Sequence, residues 1–472
     1  MIQFILNDRD VVADCSPGTL VLDFVRRNRR LTGTKEGCKE GDCGACMVVL
    51  GESAGDGVVY KPVPSCMMPV GELHGKHLVT VEGLNMPELS PVQRAIVDEG
   101  ATQCGYCTPG IVVSLTALML DPDKGVGEEH VKYALSGNLC RCTGYRSLKN
   151  AADSLTRSLG DQLSSDRVRN LVDAGALPSY FIEIPERLQS YSSTDVEPVP
   201  TSGARRIAGG TDLYVQQGDD IPVGCVDLLS AYPSLKGIRE ENGKFHVGAL
   251  TTFEEFGAHP GLLQLIPRLP RFLHLMASWQ IRNRATLGGN LVNASPIADM
   301  TSLLLALDAV VVLQNGSDCR TVALRSFFLG YKSIDKKDDE IVLEVVFPAA
   351  EPDTFIHWEK VSKRTCLDIA TLNTGAKLRV VENRVEDAVV SLGGVAATPR
   401  VLEETCSFLV GRPLTVETVL EAEGIAQGEF DPISDVRGSA EYRRLLARQL
   451  LFAHFIEMFP DRFTLEAFCA AR

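Results

Sequence analysis

The sequence has little positive charge for its length, and its apolar runs are short. Among 472 residues, 47 lysines and arginines stand against 61 aspartates and glutamates, for a net charge of −14. Nucleic acids and anionic membranes bind proteins through basic surfaces, so this balance disfavours both as partners. Apolar stretches such as 111–113 and 309–313 fall far short of the roughly 18 residues that a membrane-spanning helix needs.

Signals for secretion and for common nucleotide sites are also missing. The N-terminal MIQFILNDRDVVAD carries acids early and has no basic segment followed by an apolar one, so we expect a cytoplasmic protein. No G-x-G-x-x-G follows a strand, and Gly75-Lys76-His77 lacks the upstream glycine and the hydroxyl of a P-loop. Apolar residues at 45% and charged residues at 23% are ordinary for folded protein, and the length favours about three domains.

Cysteine is abundant, and it is clustered. Eight of the 14 cysteines lie in two groups before residue 143. In a long chain without a secretion signal, clustered cysteines indicate metal or redox ligands rather than disulfides. The other six are single, and we assign them no role beyond small apolar side chains; they are Cys15, Cys225, Cys319, Cys366, Cys406 and Cys469.

The first group has the spacing C-x4-C-x2-C followed by a more distant fourth cysteine. Its members are Cys38, Cys43, Cys46 and Cys66. This order is typical of plant-type 2Fe-2S ferredoxins. Glycines at 37, 41 and 44 let a short loop bend and bring amide N–H groups to the sulfurs. A structural zinc site is the alternative, but the loop has no histidine and the x4 spacing is unusual for zinc.

The second group consists of two close pairs, each at the start of a predicted helix. Cys104 and Cys107 precede Thr108-Pro109, and Cys140 and Cys142 precede Thr143-Gly144-Tyr145. Helix N-termini stabilise negative charge, as an anionic thiolate-ligated cluster requires. By spacing alone this group could bind zinc; the redox centre predicted upstream favours a second iron–sulfur cluster.

The pattern along the chain predicts several α+β domains. The first 85 residues read as short strands with a hairpin at 1–14 and a helical stretch at 19–30, and 88–158 read as four short helices. Residues 158–175 read as a linker with a helical segment at 166–174, and 191–203 as a surface loop. Strand-like and helical runs alternate over 176–348. After 353, strands come first and helices follow around 402–410, 415–426 and 438–459.

Three strings around the cysteines carry a family resemblance. GTKEGCKEGDCGACMVVL (33–50), QCGYCTPGIVVSL (103–115) and LSGNLCRCTGYRSL (135–148) closely resemble the two 2Fe-2S modules of the xanthine dehydrogenase, or molybdenum hydroxylase, family. Tyr106 stands where many members have phenylalanine. The resemblance implies a ferredoxin-like domain, then a four-helix domain, with Gln103 between the second cluster and a molybdenum cofactor held elsewhere.

Two glycine turns extend the resemblance. IAGGTDLYVQQ (207–217) and QIRNRATLGGNLVNASPIAD (280–299) could clamp a diphosphate through backbone N–H groups, although a tight turn without ligand is the alternative for each. They resemble the flavin-binding domain of that family, with Ala298 in place of a common glycine. VSKRTCLDIATLNTGAKL (361–378) resembles the C-terminal flavoprotein domain.

The resemblance implies a set of FAD-binding residues. The backbone of 208–213 would hold the pyrophosphate, the turn after 286 would form a second wall, and Asp299 would bind ribityl or ribose hydroxyls. Lys360 and Asp368 would lie near the isoalloxazine or the nicotinamide entrance; an exposed strand-end ion pair is the alternative. The implied set is Ala208, Gly209, Gly210, Thr211, Asp212, Leu213, Ile281, Thr286, Gly288, Gly289, Asn290, Asp299, Val342, Lys360 and Asp368.

These expectations give a multidomain α+β chain with no catalytic residue of its own. The expected domains are a ferredoxin-like β-grasp domain (1–85), a helical 2Fe-2S domain (86–158), an FAD-binding domain (176–350) and a CO dehydrogenase flavoprotein-like domain (353–460). The chain ends at Arg472, so we expect molybdopterin on a partner subunit, in an α2β2 heterotetramer.

The resemblance is to the small iron–sulfur and FAD subunit of bacterial xanthine dehydrogenases, which passes electrons through two 2Fe-2S clusters to FAD and then to NAD+. The equivalent subunit of another molybdenum hydroxylase, acting on an aldehyde, CO, nicotinate or an aromatic acyl-CoA, is the alternative. A zinc-stabilised scaffold is a third.

Overall fold

The computed structural model describes residues 1–125, 127–159, 166–191, 203–221 and 224–471. The chain splits into two compact units, taken separately below. The first comprises Met1–Pro233 and Ser278–Ala285, and the second comprises Ser234–Ala277 and Thr286–Arg472. Residues 160–165 of the predicted linker and 192–202 of the predicted surface loop lie outside the described residues. No helix in the described part of the chain is long and apolar enough to cross a membrane.

The first unit begins with a five-stranded mixed sheet. Its strands are β1 (Ile2–Leu6), β2 (Arg9–Ala13), β3 (Met47–Ala54), β4 (Gly57–Pro64) and β5 (His77–Val79). The order is β2-β1-β5-β3-β4, with β1 and β5 parallel. The predicted N-terminal hairpin is confirmed, with Asn7 at φ 57° in its turn. The predicted helical stretch forms α1 (Val21–Asp23), continues as a π-helical turn to Asn28, and packs on the sheet.

The predicted four-helix segment is also confirmed. It consists of α2 (Pro91–Asp98), α3 (Thr108–Leu120), α4 (Glu128–Ala134) and α5 (Arg146–Leu159). Ser90 and Gln93 form a capping box that satisfies N–H groups at the start of α2. Every residue of α3 from Gly110 to Leu120 is buried, which makes α3 the central helix of this domain.

Short elements complete the chain up to the second unit. They are α6 (Arg167–Asp173), α7 (Ile184–Gln189), β6 (Arg205–Ile207), α8 (Leu213–Gln217) and β7 (Val226–Leu228). The helical segment predicted at 166–174 is therefore confirmed. Strands β6 and β7 pair in parallel.

The second unit is interrupted once by a segment of the first. It opens with β8 (Ile238–Glu241), β9 (Lys244–Gly248), α9 (Phe253–Ala258), α10 (Pro260–Leu265) and α11 (Leu269–Leu275). Helix α12 (Trp279–Arg282) then lies in the segment that belongs to the first unit. The second unit resumes with α13 (Leu287–Asn293), α14 (Asp299–Ala306), β10 (Val310–Asn315), β11 (Asp318–Ala323), α15 (Leu324–Phe327), β12 (Phe328–Gly330), β13 (Ser333–Ile334) and β14 (Ile341–Pro348).

The rest of the second unit is a sheet followed by helices, as predicted. It contains β15 (Thr354–Val361), β16 (Leu372–Val381), β17 (Arg384–Gly393), β18 (Arg400–Val401), α16 (Glu403–Leu409), α17 (Val416–Ala426), α18 (Ala440–Met458) and α19 (Leu465–Ala470). One antiparallel sheet has the order β11-β10-β14-β9-β8, and the other has the order β15-β16-β17-β18. The multidomain α+β class predicted from the sequence is confirmed.

Candidate cofactor sites

The first cysteine group is assembled by the β3–β4 hairpin. Cys46 directly precedes β3 and Cys66 follows β4, so pairing of Met47 with Pro64 brings the two cysteines together. The Ser65 amide and hydroxyl both donate to the Cys46 carbonyl, at 3.2 and 2.7 Å. Cys38 and Cys43 lie in the loop that leads into β3. All four predicted ligands therefore meet in one place.

The thiols of this group form two hydrogen-bonded pairs. Cys43 donates to Cys38 and lowers the pKa of Cys38 to about 5, and amides including that of Glu40, 3.3 Å from the Cys38 sulfur, add to the effect. The pKa of Cys43 is raised in return. Cys66 donates to Cys46 in the same way, which lowers the pKa of Cys46 and raises that of Cys66. Backbone N–H groups directed at sulfur suit a group held as thiolates.

The second cysteine group repeats this arrangement at two helix starts. The Cys104 and Cys142 sulfurs lie 3.7 Å apart, and Cys140 pairs with Cys107. Two thiolates on one tetrahedral metal, with bonds of about 2.3 Å, are separated by about 3.8 Å. The Tyr106 amide, and then Cys142, lower the pKa of Cys104. Burial alone would raise the pKa of Cys140. Hydrogen bonds to its sulfur, above all the one from the Thr143 hydroxyl, outweigh burial and lower this pKa overall.

Each group thus offers two thiol pairs, as a centre with two metal ions requires. Among the described residues, no group of three or more cysteines, histidines and carboxylates converges on a single metal ion. The pairs are Cys38 with Cys43, Cys46 with Cys66, Cys104 with Cys142, and Cys107 with Cys140. The eight predicted ligands form these pairs, which fit two 2Fe-2S clusters.

The two cysteine loops are directly bonded to each other. The Leu139 amide, next to Cys140, donates to the Cys43 carbonyl at 2.9 Å. The Asn138 side chain donates to the Gly44 carbonyl at 3.2 Å. A side chain on Gly110, at the start of α3, would collide with that carbonyl. The helical domain therefore packs on the first cysteine loop through backbone.

The outer edge of the second group is open. Cys104 and Cys142 are exposed. Gln103 is exposed as well, and its side chain donates to the Cys142 carbonyl at 3.1 Å. Tyr106 hydrogen-bonds through its hydroxyl to the Glu36 carbonyl, so its extra oxygen has a partner in the first cysteine loop. This edge of the second group is therefore accessible from outside the unit.

The first glycine turn has the predicted strand–turn–helix form. It joins Ile207, at the end of β6, to α8. Gly210 has φ 77°, and a Cβ there would lie 3.0 Å from the Met67 carbonyl. A Cβ on Gly209 would collide with the Arg284 carbonyl. Both glycines are thus required by close backbone approach, and one of those approaches is to the residue that follows Cys66.

In the second turn the glycines serve packing and capping. The Thr286 hydroxyl caps α13 by accepting from the Gly289 amide at 3.1 Å. The Gly288 amide donates to the Ala249 carbonyl at 2.8 Å, and a Cβ on Gly288 would lie 2.8 Å from the Ala249 methyl. Asn290 accepts from the Thr301 hydroxyl. The backbone amides of Gly288 and Gly289 therefore have hydrogen-bond partners within the chain, whereas the amides of an open phosphate-binding turn are free to bind the ligand.

Lys360 is buried, so the alternative of an exposed ion pair with Asp368 is wrong. Its side chain is 1% exposed. Its ammonium donates to an Asp299 carboxylate oxygen at 2.6 Å and to the carbonyls of Leu275 and Asp368 at 3.0 and 2.8 Å. The other Asp299 oxygen accepts from Asn373 at 2.7 Å. The reason is tertiary: β15 passes beside the start of α14, which brings Asp299 to Lys360.

Three implied residues have simpler surroundings. The Asp368 carboxylate accepts from the Arg364 amide. Val342 is buried in β14, opposite Leu313. Ile281 packs against the buried group formed by Leu22, Cys46, Cys66 and Met67, and so lies beside the first cysteine loop.

Four buried polar residues that the sequence did not predict connect the two cysteine groups and the first glycine turn. Glu72, Asn138, Gln280 and Arg284 are all buried. Glu72 pairs with Arg284, Arg284 bonds to the Gly209 carbonyl, and Gln280 donates to the carbonyl of Ala134 in α4. Nothing in the local sequence marks them, because their burial comes from contacts between distant segments.

Four family models match consecutive parts of the chain. They are the 2Fe-2S iron-sulfur cluster binding domain (residues 4–70), the [2Fe-2S] binding domain (80–153), the FAD binding domain in molybdopterin dehydrogenase (182–350) and the CO dehydrogenase flavoprotein C-terminal domain (359–458). The two cysteine groups lie within the first two ranges. Two 2Fe-2S clusters and FAD, predicted from the sequence, are thereby confirmed as the cofactors.

Relatives support the same grouping. Xanthine dehydrogenase from Oryza sativa subsp. japonica is 29% identical over 97% of this chain and 39% of its own length. Aldehyde oxidase 1 from Cavia porcellus is 28% identical over 97% of this chain and 39% of its own length. The chain thus spans about two fifths of the length of these curated relatives.

A solved structure completes the comparison. A chain of the carbon monoxide dehydrogenase from Hydrogenophaga pseudoflava which lacks the Mo-pyranopterin moiety is 30% identical, with a TM-score of 0.50, over 53% of this chain and 88% of that one. With that relative covered almost throughout, and with the iron–sulfur and flavin models matching in sequence, the chain belongs to the molybdenum hydroxylase family of oxidoreductases and carries its electron-transfer domains.

Proposed function

We propose that the chain transfers electrons from a molybdenum centre outside these 472 residues to NAD+, as the iron–sulfur and FAD subunit of a xanthine dehydrogenase. In this proposal the chain works in the cytoplasm with a large molybdopterin subunit, in an α2β2 heterotetramer. The boundaries 1–85, 86–158, 176–350 and 353–460 are proposed for its four domains. Bound clusters supply one-electron transfer, and bound FAD exchanges one electron with them and two with NAD+.

The continuous backbone contact between the sites carries this proposal. The loop of Cys140 bonds to the loop of Cys43 through the Leu139 amide. The residue after Cys66 is Met67, whose carbonyl abuts Gly210. The eight cysteines would hold the clusters, and the backbone of 208–213 would hold the FAD pyrophosphate. This arrangement supports the order of second cluster, first cluster and flavin.

The open edge at Cys104 and Cys142 supports entry of electrons from a partner. The chain's own part there is to hold the thiolates at the surface, with Gln103 beside them. In the second unit, Asp299 accepts from both Lys360 and Asn373, and we assign this polar cluster no direct chemical step.

Xanthine is proposed as the reductant, with an aldehyde as the second candidate. Relatives named xanthine dehydrogenase and aldehyde oxidase match this chain at 29% and 28% identity. The test is anaerobic reduction of the purified complex with xanthine or with an aromatic aldehyde, followed by absorbance. We expect xanthine to bleach the complex, NAD+ added afterwards to be reduced to NADH as the colour returns, and xanthine alone to leave the isolated chain oxidised. Bleaching by the aldehyde only would reject xanthine, and bleaching of the isolated chain by xanthine would reject the division of labour.

A further inference from the structure

A short segment of the chain crosses both iron–sulfur domains. Ser278–Ala285 belongs to the first unit, although the residues on either side belong to the second. Gln280 donates to the carbonyl of Ala134 in the helical domain at 2.5 Å. Asn283 donates to the carbonyl of Pro62 in β4 at 3.0 Å. We call this segment the strap. Near its C-terminal end, Arg284 contacts the first glycine turn.

The contact between the strap and the turn is a buried ion pair. The Arg284 side chain is 8% exposed and that of Glu72 is 3% exposed. The guanidinium donates to both carboxylate oxygens of Glu72, and one of its nitrogens also donates to the Gly209 carbonyl at 2.8 Å. Glu72 lies in the 3-10 turn Val70–Leu73, shortly after the ligand Cys66.

The hydrogen bond from Arg284 to the Gly209 carbonyl determines the direction in which the Gly210 N–H points. A peptide unit is planar and trans, so the N–H of Gly210 points opposite to the carbonyl of Gly209. Anchoring that carbonyl on Arg284 therefore turns the Gly210 N–H away from the strap. Glu72 neutralises the guanidinium, and a buried, paired arginine contributes geometry more than stability.

We propose that Arg284 and Glu72 are positioning residues for FAD. They lock the turn at Gly209 and Gly210 onto the loop of Cys66, and so orient the amide that receives the pyrophosphate and fix the flavin beside the first cluster. The inference rests on the proposed function, since it takes 208–213 as the FAD site. The pair touches neither cofactor, and it acts through the Gly209 carbonyl.

The test compares FAD binding in three variants. Replacing both partners, Glu72→Leu with Arg284→Met, removes the two buried charges together and leaves the Gly209 carbonyl without its donor. Asn283→Ala is the matched control, because Asn283 is a buried neighbour on the strap that bonds to β4 and not to the turn. Flavin-free protein of each variant is titrated with FAD by fluorescence, and the clusters are measured by EPR after dithionite reduction.

We expect the double variant to bind FAD at least tenfold more weakly, with both cluster signals intact, and Asn283→Ala to stay within twofold of the wild type. FAD affinity equal to the wild type in the double variant would overturn the proposal. So would equal losses of FAD in the double variant and in the control, since that result indicates general destabilisation.

Arg284→Lys separates positioning from folding if the double variant does not fold. Lysine keeps a charge for Glu72 but lacks the planar fork of two nitrogens that together donate to both Glu72 oxygens and to the Gly209 carbonyl, so this geometry is lost. We expect an unfolding temperature near that of the wild type with severalfold weaker FAD binding, and unchanged FAD binding would overturn the proposal. Wild-type protein that binds no FAD would instead contradict the proposed function itself.

Discussion

At the scale of single residues, the main evidence for the two cluster sites comes from the cysteine thiols. In each cysteine pair one thiol donates a hydrogen bond to the other, so one member of each pair has a lowered pKa, as thiolate ligands to a metal require. The two groups share no residue, although their loops are joined through the Cys43 carbonyl. That carbonyl is unchanged by substitution of the side chain, so the two clusters can be tested separately.

Cys43→Ser is expected to remove the first cluster and to spare the second. Iron should fall from about four to about two atoms per chain, as each 2Fe-2S centre has two irons. EPR of the dithionite-reduced protein should show one remaining signal. Loss of both signals from a folded variant would contradict the assignment of two independent ligand groups.

Lys360→Met is expected to destabilise the second unit strongly. It leaves the Asp299 carboxylate, whose side chain is 16% exposed, without its cation; removing one partner of a fully buried ion pair costs about 3–5 kcal/mol, so we expect a loss near the lower end of that range. Urea unfolding measures this change. Lys363→Met is the matched control, because Lys363 is exposed three residues away, and a change there should be within about 0.5 kcal/mol. Equal effects of the two substitutions would show that the Lys360–Asp299 pair has no such role.

Spacing predicted the cysteine ligands but not the buried ion pairs. A cysteine ligand set is largely local, since three of four ligands fall within nine residues in the first group. The alternative reading of the sequence pairs Lys360 with Asp368, eight residues away, whereas the structure pairs it with Asp299 in another element. Glu72 and Arg284 are farther apart still. Such pairs depend on tertiary packing, which local pattern does not encode.

At the scale of elements, the turn between β6 and α8 restricts most strictly which residues it can contain. Gly210 combines φ 77° with close approach to Met67, and Gly203 has the same φ with no atom within 4 Å of its Cβ position. The two glycines therefore carry similar backbone strain on substitution, about 1 kcal/mol for alanine. They differ in what the new methyl group meets.

Gly210→Ala is expected to lower FAD occupancy, and Gly203→Ala is not. The flavin-to-protein ratio after purification measures occupancy, and EPR of the two clusters shows whether the iron–sulfur domains are intact. Gly210→Val should lose still more flavin, since a branched side chain is stiffer and larger. Full flavin retention in Gly210→Val would contradict the placement of the pyrophosphate at this turn.

A buried histidine pair joins β15 to α18. The Thr374 hydroxyl donates to the Ser391 carbonyl, so it accepts from His454 Nε2 at 2.9 Å. His454 Nδ1 then accepts from His357 Nδ1 at 2.8 Å. His357 Nε2 is buried with no hydrogen-bond partner among the described residues, 4.0 Å from the Glu359 carboxylate. Both rings are therefore neutral in the folded chain.

Stability of the second unit should consequently fall with pH below about 6.5. Burial lowers the pKa of His357 to about 4; Glu457 opposes this shift, and Arg268 and Arg271 add to it. Burial lowers the pKa of His454 as well. The unfolded chain binds these protons first, so stability present above pH 6.5 is lost as pH falls toward 4, by about 3 kcal/mol for His357. Calorimetry over this range should show a shallower decline for His454→Gln, and an unchanged slope would contradict the neutral pair.

Elements were predictable where the pattern is local. The hairpin, the four helices and the C-terminal helices α16, α17 and α18 follow from periodicity within each segment, and the cap of α2 follows from Ser90 and Gln93. The cap predicted at Thr108 is wrong, because α3 has Cys107 at its N-cap and no side-chain cap. The insertion of β5 between β1 and β3, and the return of 278–285 to the first unit, were not predictable. Both depend on contacts between segments tens to hundreds of residues apart.

At the scale of the whole molecule, the central claim is that one chain holds a connected path from its surface to its flavin. The path runs from exposed Cys104 and Cys142 through the Leu139–Cys43 bond to Met67 and the first glycine turn. A backbone hydrogen bond joins the two cysteine loops, and a close backbone approach joins the first of them to the glycine turn. We therefore predict that the chain equilibrates electrons among its own cofactors without a partner.

Anaerobic titration of the isolated, flavin-replete chain with NADH tests this claim most directly. Absorbance follows the flavin, and EPR of frozen samples follows the two clusters. We predict that NADH bleaches the flavin and that two distinct 2Fe-2S signals then grow without any added subunit. A flavin that NADH does not reduce, or a reduced flavin beside clusters that stay oxidised in the presence of excess NADH and are reduced by dithionite, would contradict it.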